Sequence, residues 1–203
     1  MAEKKRRTIE APEVRRAQLL DAAKICFRER GFHATRMADI AERAGLSVGL
    51  VYRYFPGKQS VIEAIIRDDL TEQRRFFEQL FEAHPNDPLA AIESGASGYT
   101  KAIMNVDRTA LMLEIASETV RNPQLAACDP DASEKLLDLF LSHLNTAGLR
   151  PMAKEEIEVR LQLLGALISG VAIQLAMNTH KPSPALFKLM EETARHLLLP
   201  DAR

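Results

Sequence analysis

Three consecutive side chains in this sequence could bind a polyanion. Tyr52, Arg53 and Tyr54 place two hydroxyl groups and a guanidinium in one short segment. These groups can donate hydrogen bonds to phosphate oxygens and to the edges of bases. Lys58 follows at the start of a predicted helix, where free amide groups and the helix dipole favour a phosphate. The residue types therefore indicate contact with a nucleic acid.

The surrounding residues have the pattern of a helix–turn–helix over 37–55. Ala41 is small where two helices must cross closely, and Gly45 occupies the turn, where a positive φ is expected. The helix from Val48 to Tyr54 is then free to enter a major groove, and Gly49 would let its backbone come close. An ordinary helical hairpin with a few surface aromatic residues is the alternative interpretation. The apolar contacts that would hold the helix pair at a fixed angle come from four residues: Ile40, Ala44, Leu46 and Val51.

The charge distribution favours the nucleic-acid interpretation. The chain has 203 residues and a net charge of −1. Residues 1–60 contain 13 Lys/Arg and 7 Asp/Glu, which gives +6, whereas the remaining 14 basic and 21 acidic residues give −7. A basic end on an acidic body suits binding of a polyanion through the first sixty residues. A solvated basic tail is the alternative, because Lys4 to Arg7 supply four of these charges.

Apolar residues recur at three- and four-residue spacing, and no alternating strand pattern is present, so the sequence predicts an all-α protein. Thr35 and Ser47 are expected helix caps. Proline, glycine and cap signals predict helices over Pro12 to near Gly31, Thr35 to Ala44, Ser47 to Phe55, Lys58 to about Ala83, 88–105, 107–121, 124–147 (an interruption at Asp129-Pro130 is left open), 154–178 and 184–198. We expect three regions: a basic N-terminal arm over 1–11, a helix–turn–helix domain over 12–60 and a helical C-terminal domain over 61–203.

Many residues over about 14–62 match one family pattern at fixed spacing and without a gap. They are Leu19-Leu20-Asp21-Ala22-Ala23, Phe27, Gly31-Phe32, Thr35, Met37-Ala38-Asp39-Ile40-Ala41, Ala44-Gly45-Leu46-Ser47, Val51-Tyr52-Arg53-Tyr54-Phe55 and Lys58. This pattern resembles the N-terminal domain of the tetracycline-repressor (TetR) family. The resemblance implies a three-helix helix–turn–helix DNA-binding domain joined to a helical C-terminal domain that binds a ligand and dimerises. It also implies a homodimeric repressor that leaves a palindromic operator when a small-molecule effector binds.

The resemblance also implies a set of DNA-contacting residues. Val48 and Gly49 differ from family versions that have a polar or basic residue there, so direct base readout is expected to depend on Arg36 and Arg53. The whole set is Thr35, Arg36, Ser47, Val48, Gly49, Tyr52, Arg53, Tyr54 and Lys58.

The predicted helix from Glu155 to Asn178 carries apolar residues at alternating spacings of four and three, which is the pattern of a helix–helix seam. A core helix of the monomer would show much of the same pattern. The resemblance favours a dimer interface between the last two long helices. The residues expected there are Leu161, Leu164, Ile168, Val171, Leu175, Leu186, Leu189, Met190 and Leu197.

A ligand cavity is expected, by the same resemblance, between helices that carry Tyr99, Met104, Met112, Phe140 and His143. His143 could equally be a histidine of the core. Glu114 and Glu118 lie four residues apart on one helix face and could meet a cationic ligand. The alternative is that both glutamates are solvated, with a pair to Arg121, since charged residues are seldom buried alone. The expected effector is therefore a small apolar or cationic aromatic molecule.

Residues suited to catalysis are poorly arranged in this sequence. Gly95-Ala96-Ser97-Gly98 is one residue short of a nucleophile elbow and lacks the preceding strand. Cys128 precedes Asp129 and Asp131, whose charges disfavour a thiolate. No histidine pair has metal-ligand spacing on one helix. We therefore expect no enzyme, no metal and no cofactor, and a helical small-molecule-binding protein without DNA-binding activity is the alternative function.

The sequence also predicts a cytoplasmic protein without membrane contact. The best apolar run, Leu163 to Ile173, stops at Gln174 and is shorter than a membrane span of about 20 residues. The basic run ending at Arg7 continues into a polar amphipathic stretch, so no signal peptide is expected.

Overall fold

A computed structural model of the chain describes residues 11–103, 105–125, 127–146, 152–177 and 183–199, with the backbone alone described at 99–103, 130, 133 and 146. These ranges contain helices and no strand, and the prediction of an all-α fold is confirmed. A short 3₁₀ turn, Pro123–Leu125, lies between the sixth and seventh helices. The helices are α1 (Pro12–Arg30), α2 (Met37–Arg43), α3 (Val48–Tyr54), α4 (Lys58–Ala83), α5 (Pro88–Ile103), α6 (Val106–Arg121), α7 (Pro130–Thr146), α8 (Lys154–Ala176) and α9 (Pro184–Leu198).

Local signals set most of the helix ends. Pro12 occupies the first position of α1, where its missing N–H costs nothing, and Gly31 ends that helix with a φ of 77°. The Ser47 side chain caps α3 by accepting a hydrogen bond from the Leu50 amide at 3.3 Å. The observed bounds of α4 are those predicted from the sequence.

Two helices differ from the prediction at their N-terminal ends. The helix α2 is not capped by Thr35 but begins at Met37, because the Asp39 carboxylate accepts a hydrogen bond from the Arg36 amide at 2.7 Å. The segment predicted as 124–147, with an interruption at Asp129-Pro130 left open, is indeed interrupted there, and α7 begins at Pro130. Asp129 caps this later start by accepting a hydrogen bond from the amide of Ala132 at 3.1 Å.

The chain forms two compact units, of which the first ends at Ile65 and the second begins at Ile66. In the first unit α1 packs against α2, and α2 packs against α3. Burial of this core from water is the main favourable term that holds the short helices in place. The large side chains that are almost fully buried there are Leu19, Phe27, Ile40, Val51, Val61, Ile62 and Ile65.

The turn between α2 and α3 depends on one backbone conformation. Gly45 has a φ of 65°, the left-handed region that was expected for this position. The turn is closed by the Leu46 amide, which donates to the Ala41 carbonyl at 2.9 Å. Gln18 on α1 adds a side-chain bond, since its amide nitrogen donates to the Ala44 carbonyl at 2.8 Å.

The second unit contains most of α4 together with α5 to α9. Within it α5 packs chiefly against α9, and α8 packs against α6, α7 and α9. Arg160 on α8 donates to the Leu197 carbonyl at 2.7 Å, which fastens α8 to the last turn of α9. The buried core cluster comprises Phe81, Ala91, Ile92, Phe140, Leu144, Met152, Ile157, Ala194, Leu198 and Leu199.

We predict that Gly45→Ala destabilises the protein by about 1 kcal/mol, because an L-residue in the left-handed region is strained even though a methyl group meets no atom within 4 Å. The matched control is Gly49→Ala, since a methyl group there also meets no atom within 4 Å and its φ is not positive. Urea unfolding followed by circular dichroism measures the free energy of unfolding of both variants. Equal unfolding midpoints for the two variants would contradict the assigned turn.

Candidate nucleic-acid interface and cavity

The helix α3 is anchored by one face and displays the other. Val51 and Phe55 are buried against the core of the first unit. Tyr52 is 51% exposed and Val48 is 41% exposed, and Arg53 is exposed beside them. A helix held in this way by apolar contacts can insert its displayed face into a groove without disturbing its own packing.

The other predicted DNA-contacting residues are exposed or half-buried, with one exception that is buried. Arg36, which immediately precedes α2, is exposed, as are Ser47 and Gly49 at the start of α3. Tyr54 is half-buried. The expected contact of these residues with DNA remains a prediction.

Asp39 fixes the backbone beside Arg36. Its carboxylate accepts the hydrogen bond from the Arg36 amide and also pairs with the Arg30 guanidinium at 3.1 Å. The carboxylate therefore connects the last turn of α1 with the first turn of α2. Because the backbone of Arg36 is held in place, the position from which its exposed side chain extends is also fixed.

Thr35 is the exception, and here the sequence-based expectation is corrected. Its side chain is completely buried, and its hydroxyl lies 2.8 Å from the Gly31 carbonyl oxygen and 3.1 Å from that of Cys26. The hydroxyl can donate to either carbonyl at the end of α1. Thr35 therefore stabilises the connection that leads to α2, and its side chain is not presented to a ligand.

Lys58 holds the same connection from the other side. Its ammonium donates to the carbonyl oxygens of Phe32 at 2.7 Å and His33 at 3.1 Å, and it lies 4.6 Å from the centre of the Phe32 ring. Because an ammonium has three N–H groups, at most one is left for the phosphate contact expected from the sequence.

A half-open cavity of about 140 Å³ lies in the second unit. Its walls come from α4, α5, α7, α8 and α9, and Gln73 is the polar side chain among otherwise apolar described residues. Gly95 lets α5 approach α4 closely, since a methyl group there would lie 2.5 Å from a methyl carbon of Leu80. The lining residues are Gln73, Phe77, Leu80, Phe81, Ala91, Ile92, Gly95, Ala96, Leu136, Phe140, Leu161, Leu164, Gly165, Ile168 and Ala194.

Of the residues predicted to bind a ligand, Phe140 lines this cavity. Met112 and Glu114 are half-buried on α6 and do not line this cavity, and their contact with a ligand remains a prediction. The side chain of Tyr99 and the whole of Met104 lie outside the described residues. The lining aromatic and aliphatic residues were missed because they carry no chemical signal that separates a cavity wall from an ordinary core.

Glu118 and His143 also do not line the cavity. The carboxylate of Glu118 pairs with Arg121 at 2.9 Å, as the alternative interpretation expected, but Glu118 is only 7% exposed and is therefore not solvated as that interpretation also expected. His143 stacks on Phe81 with ring centres 4.1 Å apart. Burial lowers the pKa of His143, and the nearby His84 lowers this pKa further, so the neutral imidazole is favoured against the aromatic ring.

The structure buries some of the residues that the sequence placed in an outer seam of α8 and α9. Ile168 and Leu175 are buried within the chain, as is Met190 on α9, so these three expected interface residues belong to the interior instead. The other expected residues are half-buried, namely Leu161, Leu164, Val171, Leu186 and Leu197, whereas Leu189 is exposed.

A different apolar row of α8 faces outward. Val159, Leu163 and Leu167 follow one another at four-residue spacing and are exposed, the last two by 49% and 40%. By length and composition α8 could also cross a membrane, and only 17% of its most apolar window is buried within the chain. Several apolar side chains of this helix are therefore left exposed by its own unit.

Among the described residues no group of three or more His, Cys, Asp or Glu side chains could hold a metal ion.

Comparison with known proteins identifies the family of this chain. The family model for bacterial regulatory proteins of the tetR family matches residues 19–65. The HTH-type transcriptional regulator BetI of Klebsiella pneumoniae (strain 342) is 30% identical over 174 residues, which cover 81% of this chain and 84% of that protein.

Two solved structures share the fold. A TetR-family transcriptional regulator from Mesorhizobium loti superimposes with a TM-score of 0.76 at 18% identity, covering 93% of this chain and 98% of that one. The transcriptional regulator FadR from Bacillus subtilis, solved in complex with stearoyl-CoA, gives a TM-score of 0.68 at 18% identity over 90% and 97% of the two chains.

Proposed function

Because this chain belongs to the TetR family of bacterial regulatory proteins, and is therefore a DNA-binding transcriptional regulator and not an enzyme, we propose that it is a homodimeric repressor released by an apolar effector. The observation that carries the proposal is the displayed face of α3, anchored from behind by Val51 and Phe55. The alternative of a ligand-binding protein without DNA-binding activity leaves that face unexplained.

The homodimer in this proposal uses the outward row of α8. Val159, Leu163 and Leu167 expose apolar surface that a second copy of the chain would cover, and Leu189 adds an exposed leucine on α9. A two-fold interface pairs the same patch on both subunits, so each exposed leucine is covered on both of them. Burial of α8 against a partner also accounts for its membrane-like composition, and we propose that the protein works in the cytoplasm, where bacterial DNA lies.

A two-fold dimer carries two copies of α3. Recognition helices related in this way meet half-sites about 34–36 Å apart, or a multiple of that distance. The operator in this proposal is therefore palindromic or nearly so. Exposed Arg36 and Arg53 supply the charged contacts, and the Asp39 bonds keep the first of them in place.

The effector in this proposal is small, apolar and uncharged. The cavity volume of about 140 Å³ is close to that of an engineered apolar cavity of about 150 Å³ that binds benzene. None of its described lining residues is acidic, and Glu118 is already paired with Arg121, so these residues offer no carboxylate to balance the charge of a cation. FadR, which shares this fold, was solved with stearoyl-CoA, and the acyl chain of that ligand is apolar.

The helix α4 connects the cavity with the first unit. Phe77, Leu80 and Phe81 on α4 line the cavity, while Lys58 at its first residue binds the carbonyls of Phe32 and His33. A ligand that displaces the α4 side chains therefore acts on the helix that begins in the DNA-binding unit. Release requires that the ligand bind the DNA-incompetent arrangement more tightly than the competent one.

We predict that Arg53→Ala weakens operator binding by about tenfold or more, because one guanidinium contact to a base contributes about 1–3 kcal/mol. Arg75→Ala, which removes an exposed arginine of α4 in the second unit, is the control and should bind normally. Fluorescence anisotropy with a selected operator, at several salt concentrations, measures both. Unchanged affinity and specificity of the Arg53 variant would overturn the assignment of α3.

We predict that Leu163→Lys converts the dimer into a monomer, since the ammonium would be buried without a partner twice in a two-fold contact. Val120→Lys is the control, because Val120 is 83% exposed on α6, outside the proposed interface. Light scattering after size-exclusion chromatography gives the mass. If the Leu163 variant still has the mass of two subunits, the dimer interface lies elsewhere on the chain.

We predict that ethylbenzene raises the melting temperature and weakens operator binding, whereas benzylammonium, which has a similar size and a positive charge, does neither. The variant Ala96→Leu, which fills part of the cavity, should lose the response to ethylbenzene. Thermal shift and operator anisotropy measure the two effects. If ethylbenzene stabilises the protein without weakening operator binding, the cavity binds the ligand but does not control release of the operator.

A further inference from the structure

The first turn of α3 displays apolar side chains at the point where a groove-reading helix meets the bases. Val48 and Tyr52 are four residues apart, so they lie one above the other on the same helix face. Both are exposed, while Val51 and Phe55 fill the core behind them. The packing of the first unit therefore does not require the Val48 side chain, which is free to meet a ligand.

The neighbours of Val48 leave this apolar side chain uncovered. Gly49 has no side chain, and a methyl group built there would meet no atom within 4 Å. The Ser47 side chain caps α3, because its oxygen accepts a hydrogen bond from the Leu50 amide at 3.3 Å. The four residues from Val48 to Val51 carry no amide, hydroxyl or charged side chain that could bond to a base edge.

Only one base offers an apolar group in the major groove. Thymine presents its 5-methyl group there, whereas the other groups on base edges are hydrogen-bond donors or acceptors. A valine placed against a donor or acceptor would remove that group from water without replacing its hydrogen bond, which is unfavourable. A valine placed against the thymine methyl group instead buries apolar surface on both sides.

We propose that Val48 determines operator specificity by apolar contact with a thymine methyl group, and that the ring of Tyr52 extends this contact. This inference rests on the proposed binding of an operator by α3. The contact selects thymine over cytosine, which lacks the methyl group and presents an amino donor in the major groove. Arg53, exposed beside Tyr52, supplies the charged part of the same recognition surface.

The test begins with operator selection from random DNA by the full-length protein. Each thymine of the selected half-site is then replaced by deoxyuridine in both half-sites, which removes the methyl group and keeps the base pair. We expect one thymine position whose replacement weakens binding about fourfold per half-site, or about fifteenfold for the symmetric pair, as the burial of one methyl group predicts. Replacement at most other thymines should change the affinity less than twofold.

The variant Val48→Ala identifies the side chain that reads the methyl group. It should bind the thymine operator more weakly than the unaltered protein and bind the thymine and deoxyuridine operators equally at the sensitive position. Val120→Ala, a truncation of another exposed valine, should keep the full preference for thymine. Circular dichroism should show no change for either variant, since neither side chain is buried.

Two results would overturn the methyl contact while leaving operator binding intact. One is a selected operator at which no deoxyuridine replacement weakens binding. The other is a Val48→Ala protein that keeps the preference for thymine at the sensitive position. If the selection enriches no sequence at all, the proposed function fails, and this inference fails with it.

Discussion

The crossing of α2 and α3 is the constraint on which the function of this molecule depends. Two seven-residue helices are too short to be stable alone, so their angle is set by burial of Ile40, Ala41 and Val51 and by the turn at Gly45. The left-handed backbone of Gly45 reverses the chain within a few residues. Because the buried face of α3 is fully used in this packing, the opposite face must be displayed.

Polar side chains make the connection before α2 equally rigid. Thr35 binds a carbonyl at the end of α1, Asp39 binds the Arg36 amide, and the Lys58 ammonium binds two further carbonyls. Each bond pairs a backbone group that the helices themselves leave without a partner. A loop held in this way costs little additional ordering when a ligand binds, which favours a preorganised recognition surface.

The helix α8 serves two apolar surfaces at once. Leu164 and Ile168 line the cavity, while Leu163 and Leu167, each one residue earlier, face outward. Because successive residues of a helix are about 100° apart, a ligand in the cavity and a partner subunit outside would contact neighbouring faces of one helix. This arrangement gives a physical route by which occupancy of the cavity can alter the geometry of a dimer, since closely packed interiors transmit small displacements.

The sequence by itself determined what depends on neighbours along the chain. Pro12, Ser47 and Gly45 act through the local backbone, so the helix ends, the positive φ and the helix–turn–helix could be predicted from residue type and spacing. Tertiary structure alone decided that the Thr35 hydroxyl turns inward and that the cavity is lined by α4 rather than α6. It also decided which face of α8 is covered. A helix that is apolar on several faces fits a seam at more than one of them, and only contacts between residues distant in sequence select the buried one.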